Sequence, residues 1–292
     1  MREWQVMEKS SIHQQLDLSE DLAKAWQGTD ALVVAFELQG TVVRRVAERS
    51  TIRTQIDGRT YYVKRHGGVG WTEILKNLLS MKRPVVDASN EYIAIREFAA
   101  AGLHTLTVAG YGCQGLNPAT RRSFLVTEEL TGTQSLEQVC LRWIEFPPSP
   151  AVKRALIERV ASLASRMHAT GFVHQDFYIC HMLLAGDDQE MCSRSVSAPI
   201  YIVDLHRAQR YKHIPLRALV KDLGGLYFSA LQISLTRRDV LRFLQTYFEL
   251  PLRVVLSEQA RLLVMCERRA TRLHKKARRK HILPRQLAGI DL

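Results

Sequence analysis

The sequence predicts an α+β chain in two lobes, with strands leading and helices trailing. Three observations point there. Runs rich in β-branched and aromatic residues fall between Val42 and Thr127. Helical periodicity takes over after Ser135, most plainly where Val152, Leu156, Val160, Leu163 and Met167 recur at helical spacing. And 292 residues, 46% apolar and 24% charged, suffice to bury the core of one large domain or of two lobes. The expected division is an N-terminal extension over residues 1–30, a β-rich lobe over 31–130 and a helical lobe over 131–292 that ends in a basic helix, with the joint near Glu128 to Thr133.

Taken in order, residues 1–30 are polar and mixed apart from Trp4 and Trp26 and show no sustained period, so they read as an extension packed on the rest of the chain. Residues 51–56 and 61–64 predict strands, and the Asp57-Gly58-Arg59 between them marks a β-hairpin. After Gly67-Gly68-Val69-Gly70 comes a helix over 71–79, which Pro84 separates from a second one with Tyr92, Ile95, Phe98 and Ala99 on one face. Gly102 stops that helix. Residues 107–111 and 124–127 are further strands. Ser135 with Gln138 predicts a capping box, and Ser149-Pro150 opens a long helix that reaches His168 and ends at Gly171. Short strands over 182–184 and 200–203 then flank an insertion, and helices come after them near Leu219, Thr236 and Leu252.

The 41 Lys plus Arg against 29 Asp plus Glu leave a net charge of +12, more than solubility requires, so an anionic partner is expected. Eight of those cations lie between Arg268 and His281, where Leu273 and Ala277 hold helical spacing. The run reads either as a solvated helix end or as a contact for phosphates and anionic headgroups. Nucleic acid is not expected, because aromatics are not interleaved with the basic run and no nucleic-acid-binding motif is present. Five widely spaced cysteines with no C-x-x-C pair argue against a disulfide framework and a zinc knuckle, and fit a reducing cytoplasm. The first residues carry Arg2, Glu3, Glu8 and Lys9 and no apolar signal core. The longest uncharged stretch, residues 223–235, is too short to cross a bilayer, so any membrane contact should be peripheral.

The chemistry concentrates in a few places. Residues 172–181 read Phe-Val-His-Gln-Asp-Phe-Tyr-Ile-Cys-His, which puts His174, Asp176 and His181 in one tight loop between a long helix and an apolar strand. Twenty-eight residues past Asp176, an apolar run ends in Asp204, and a carboxylate at such a strand end is costly without a cation or donors. Upstream, Lys64 ends a strand and Glu91 opens the next substantial helix, a pairing that can hold a phosphate-binding cation in place. Zinc through His174, Asp176 and His181 lacks a fourth partner, and Cys180 beside His181 is read as packing because neighbours in sequence rarely present thiol and imidazole to each other. His174 is read as structural, bonding backbone around the loop, and Asp222 as an anchor of the same loop.

The order of strand Lys, helix Glu, loop His-x-Asp and strand-end Asp resembles the protein-kinase-like fold. More narrowly, residues 174–184, Val-Asp-Leu-His-Arg-Ala-Gln over 203–209, Lys221-Asp222-Leu223 with Leu226-Tyr227-Phe228-Ser229, and Leu235-Thr236-Arg237-Arg238-Asp239 are similar to the bacterial lipopolysaccharide core heptose kinase family (WaaP/RfaP type). The resemblance runs from about Leu38 to the C-terminus and takes in residues 70–79 and 124–130. It implies a cytoplasmic sugar kinase at the inner face of the inner membrane, using ATP and Mg²⁺ and phosphorylating a heptose of the lipopolysaccharide inner core. Asp176 is then the catalytic carboxylate, Lys64 and Glu91 serve the nucleotide phosphates, and Asp204 binds metal, with His181 where protein kinases carry a metal-binding Asn. Imidazole is a poor ligand for so hard an ion. Gln175 stands where many protein kinases have an Arg, and no G-x-G-x-x-G precedes Lys64, so residues 40–50 must cover the phosphates another way. A kinase of another acceptor (Kdo, a small molecule or a protein) and a non-catalytic kinase-like binder are the competing readings.

Overall fold

The computed structural model describes residues 14–46, 48–79, 86–186, 198–231, 233 and 235–279. Residues 1–13 of the expected extension, Pro84, Cys192, and Lys280 and His281 of the basic run lie outside the described residues. Contacts divide the chain into two compact units. One comprises Met1–Thr131 with Asp204–Arg207, the other Gly132–Val203 with Ala208–Leu292.

The first unit is built on a six-stranded antiparallel sheet in the order β1-β5-β6-β4-β3-β2. Its strands are β1 (Gln14–Leu18), β2 (Thr41–Val46), β3 (Arg49–Ile56), β4 (Arg59–His66), β5 (Val108–Gln114) and β6 (Arg122–Glu128). The Asp-Gly hairpin forms as the sequence predicts. Ile56 pairs with Arg59, and Asp57 and Gly58 both take positive φ (48° and 76°), the type I′ geometry that matches strand twist and that a glycine tolerates without strain. Helices α1 (Glu20–Ala25) and α2 (Ala31–Glu37) bury Leu22, Leu32 and Ala35 in a cluster with Tyr61, Val63, Phe124 and Val126 of the sheet.

Neither β1, α1 nor α2 is expected from the sequence. The strand has five residues and the helices six and seven, too short for a period to register. What starts the helices is capping, since Ser19 accepts from the Leu22 amide and Asp30 from the Leu32 and Val33 amides. Helices α3 (Gly70–Leu79) and α4 (Ser89–Ala100) stand where the period places them, but the buried face of α4 differs. It is Glu91, Ala94, Ile95 and Phe98, with Ala99 exposed, because Glu91 is drawn inward.

In the second unit, β7 (Thr133–Ser135), β9 (Met182–Ala185) and β10 (Ile200–Ile202) form a three-stranded sheet, and β8 (Phe172–Val173) pairs with β11 (Gln209–Arg210). The helices are α5 (Leu136–Leu141), α6 (Pro150–Ala169), α7 (Leu216–Ala230), α8 (Arg237–Phe248), α9 (Leu252–Glu258) and α10 (Ala260–Arg279). The Ser135–Gln138 capping box forms, and Thr236 makes another with Asp239, whose carboxylate also meets Lys153 of α6 at 2.8 Å. Helix α10 packs against α7 and buries every fourth residue, Leu262, Cys266, Ala270 and His274. Among the described residues no helix is long and apolar enough to cross a membrane.

Candidate active site

In the first unit the sheet presents Lys64 near the end of β4, paired with Leu125 on one side and Thr51 on the other. A central strand flanked this way has no freedom to slip, so the lysine's starting point is fixed. Its ammonium donates to Glu91 Oε1 at 2.5 Å. Glu91 is only 3% exposed, and a carboxylate so buried needs a cation. Burial pulls the Lys64 pKa down, but the Glu91 and Asp204 carboxylates outweigh it and hold it above the ordinary lysine value. The lysine therefore stays charged throughout the neutral range.

Asp204 belongs to this unit, and its backbone adopts a left-handed φ of 64°, a conformation that costs energy for a residue other than glycine. The neighbouring contacts hold it there. His206 Nδ1 meets Asp204 Oδ1 at 2.7 Å, and the His206 carbonyl accepts from the Asn90 amide nitrogen at 2.8 Å. Asn90 and Glu91 are successive residues of α4, so one helical turn ties both the lysine and the aspartate segment. Lys64, Glu91, Asp204 and His206 share the wall of a cavity of about 480 Å³ with Arg44 and His66. Burial first, then the charge of Arg49, lowers the His66 pKa to about 4, so that side chain is neutral at physiological pH.

In the second unit the His-x-Asp loop hangs from α7. Asp222, wholly buried, accepts the His174 amide at 2.6 Å on one oxygen and the Gln175 amide at 2.7 Å on the other. Seven residues on, two turns along the same helix face, Ser229 accepts the Ile179 amide at 3.1 Å and donates to the Leu226 carbonyl. Between these anchors Gln175 takes a left-handed φ of 72°, steadied by Lys221 Nζ on its side-chain oxygen at 2.8 Å. The close approach favours Gly225, where a Cβ would stand 3.2 Å from the Tyr178 ring and 3.3 Å from the Phe177 carbonyl.

His174 is structural, as the sequence predicts. Its Nδ1 accepts the Asp176 amide at 3.3 Å, which leaves the proton on Nε2 to donate to the Val203 carbonyl at 2.9 Å. His181 turns Nδ1 to the Asp176 carbonyl at 2.8 Å and stacks on His174 with ring centroids 5.6 Å apart. The main chain of Asp176 is thus held at both its N–H and its C=O, while its half-buried carboxylate rides on a fixed backbone. Among the described residues no three His, Cys, Asp or Glu side chains gather as a metal cage.

The structure brings together Lys64, Glu91 and Asp204 in the first unit, and His174, Asp176 and His181 in the second. Sequence reasoning does not find Asn90, and it quotes His206, Lys221 and Ser229 within motifs without giving any of them a role. The 222/229 spacing of two helical turns is the one local signal that could have revealed Ser229. It also does not find the buried chain behind Asp222, in which His168 Nε2 lies 3.4 Å from Asp222 and His168 Nδ1 lies 2.8 Å from the Tyr247 hydroxyl.

An antiparallel sheet unit whose strand lysine is clamped by a helix glutamate, joined in sequence to a helical unit carrying a pinned His-x-Asp loop, has the protein-kinase-like fold, and its chemistry is phosphoryl transfer from ATP to a hydroxyl. Residues 35–247 match the Lipopolysaccharide kinase (Kdo/WaaP) family, and the chain belongs to it. It is 48% identical over 267 residues to the lipopolysaccharide core heptose(I) kinase WaaP of Pseudomonas aeruginosa, covering 90% of this chain and 97% of that protein. To the protein of the same name from Escherichia coli K12 it is 43% identical over 265 residues, covering 91% and 99%. A solved structure described as WaaP in complex with acyl carrier protein aligns with a TM-score of 0.76 at 42% identity, over 89% of this chain and 99% of that one.

Proposed function

We propose that this chain transfers the γ-phosphoryl group of ATP to a hydroxyl of a heptose in the lipopolysaccharide inner core. The observation that carries the reading is its likeness, over nine-tenths of its length, to proteins named for that activity. In this reading Lys64, held by Glu91, steadies the nucleotide phosphates. Asp204 presents hard carboxylate oxygen to the same cavity and so fits Mg²⁺, which when bound spreads the negative charge of the phosphates. Its contact with His206 orients the carboxylate. His181, with Nδ1 on the Asp176 carbonyl, shapes the loop and ranks behind Asp204 as a partner for so hard an ion. Asp176 orients the acceptor hydroxyl. As that oxygen bonds to the γ-phosphorus, the bond from phosphorus to the β–γ bridging oxygen breaks, ADP leaves and the hydroxyl proton passes to the Asp176 carboxylate.

Mass spectrometry of core oligosaccharide from cells with and without the gene tests this. The expected result is a core one phosphate lighter in the deletion, with fragment ions placing the missing group on a heptose. An unchanged core, or a phosphate lost from Kdo, overturns it. Work on the cytoplasmic side of the inner membrane, with the basic residues of α10 toward anionic headgroups, belongs to the same reading and is supported by the exposed Arg268, Arg272, Lys275 and Arg279 along that helix.

We also propose that the chain binds an acyl carrier protein, as the solved relative does. The supporting feature is a cavity of about 300 Å³ in the second unit, walled by Leu156, Val160, Leu226, Phe243 and Leu263. Its lining suits an acyl chain and offers a phosphorylated sugar little to bond. An acylated carrier protein at about 100 times its Kd should stabilise the chain by about 2.7 kcal/mol, seen as a rise in Tm. The unacylated carrier should do less, and Leu226→Trp should erase the difference. Equal shifts from both carriers would remove the acyl chain from the account.

A further inference from the structure

We propose that Arg44 is a phosphate-binding residue of the nucleotide site, turned into that site by a β-bulge at Val43. On the edge strand β2, Val42 stands opposite Ile52 of β3, and the register then slips by one residue, so that Arg44 rather than Val43 stands opposite Thr51. Thr51 in turn pairs with Lys64 of β4. Residues in register on neighbouring strands project from the same face, so Arg44, Thr51 and Lys64 form one row. Had the pairing run on unbroken from Val42, Arg44 would stand opposite Ser50, in the row of Arg65, and its side chain would leave by the other face.

The two faces are told apart by what they meet. One carries Ile52 and Val63 into the core cluster shared with α1 and α2, and Arg65, on the same face as Val63, donates to the Leu38 carbonyl. The other carries Arg44, Val46, Arg49, Thr51, Lys64 and His66, all of which line the cavity of about 480 Å³ that holds Glu91 and Asp204. Charge effects sort the two neighbouring arginines in the same way. Burial first, and the Arg44 charge with it, pull the Lys64 pKa down against the two carboxylates, whereas burial and then the Arg45 charge lower the Arg65 pKa.

Chemistry selects the ligand. Lys64 is already paired with Glu91, so an anion entering the cavity gains most from a cation that has no acid of its own. Arg44 is exposed, and among the described residues no carboxylate pairs with it. Two strand spacings, about 10 Å, separate its Cα from that of Lys64, a gap that two long side chains can bracket around a run of phosphates. A guanidinium presents a fork of N–H donors that matches phosphate oxygens two at a time. Residues 41–56 contain no glycine with which to lay backbone amides over the phosphates, and a side-chain cation supplies that cover. This inference rests on the kinase reading and deepens it at the donor site.

The test is a competition titration on the full chain with Mg²⁺, in which ADP and tripolyphosphate each displace a fluorescent ATP analogue from wild type, Arg44→Ala, Arg44→Lys and Arg45→Ala. Arg44→Ala should bind ADP and tripolyphosphate about tenfold more weakly or worse, with an unchanged Tm because the residue is exposed. Arg44→Lys, which keeps the charge and loses the fork, should recover part of the loss. Arg45→Ala, one residue along on the opposite face, should bind both like wild type. In steady state the KM for ATP should rise in Arg44→Ala and the KM for the sugar acceptor should not. The proposal is overturned if Arg45→Ala weakens binding as much as Arg44→Ala, since the hairpin then acts by its overall charge. It is also overturned if ADP binding weakens while tripolyphosphate binding does not, for the contact then lies on the nucleoside. A wild type that binds nucleotide beside an Arg44→Ala that binds it equally well sinks this inference alone. A wild type that binds neither ATP nor ADP sinks the kinase reading and this inference with it.

Discussion

Asp176→Asn should lower turnover by roughly 10²- to 10⁴-fold while leaving the fold and nucleotide binding intact. The reason for expecting so clean a separation is local. The contacts that hold this residue act on its main chain, through His174 Nδ1 at the amide and His181 Nδ1 at the carbonyl, and an asparagine keeps both. The side chain changes little in size and loses the ability to take a proton from the acceptor. Lys64, Glu91 and Asp204 belong to the other unit. Steady-state transfer from ATP to lipopolysaccharide core, a fluorescent nucleotide-binding titration and a thermal melt report the three quantities separately. Wild-type turnover in the variant would remove Asp176 from the chemistry. Weakened nucleotide binding with normal turnover would instead assign it to the donor.

The parts of this molecule legible in the sequence are those whose physics is local. Asp57-Gly58 needs only its own two positive φ angles to turn the chain, and the Ser135 and Ser149 caps need only the amide three residues on. Long helices with a repeating apolar stripe, such as α6, are legible for the same reason. The site was partly legible because its charged residues stand at the ends of such elements. Lys64 stands two residues before the end of its strand and Glu91 in the first turn of its helix, and the structure brings them within 2.5 Å although they are twenty-seven positions apart. What could not be read is what depends on tertiary partners. Strand β1 becomes a strand because β5 offers it an edge, pairing Gln14 with Gln114 through Leu18 with Gly110. The buried face of α4 shifts because Lys64 pulls Glu91 inward, which no amphipathic count foresees. His206 and Asn90 matter through a carbonyl and a carboxylate that carry no side-chain pattern of their own.

Asp222→Ala should damage both stability and turnover, and more severely than any other single change in the second unit outside Asp176. Removing the carboxylate leaves the His174 and Gln175 amides buried with no acceptor, each at a cost of about 1–3 kcal/mol. It also takes the partner from the His168 imidazole, whose other nitrogen meets the Tyr247 hydroxyl, so a buried polar chain loses its end. Among the described residues Gln175 then keeps the Lys221 contact to hold a left-handed backbone, and relaxation of that residue moves Asp176 directly. The expected loss is about 3–5 kcal/mol in denaturant unfolding, with turnover down at least as far as in Asp176→Asn. Asp222→Asn separates the two effects if the alanine variant does not fold. It keeps one acceptor oxygen and turns an N–H₂ toward the other amide, so it should lose less stability yet still displace the loop on one side. Ser229→Ala gives the scale at the far anchor, where one amide, that of Ile179, is left without its oxygen. A cost of about 1 kcal/mol and a modest fall in turnover are expected there. If Asp222→Asn is folded and turns over like wild type, the loop does not depend on α7 for its shape, and the placement of Asp176 must come from the His174–His181 pair alone.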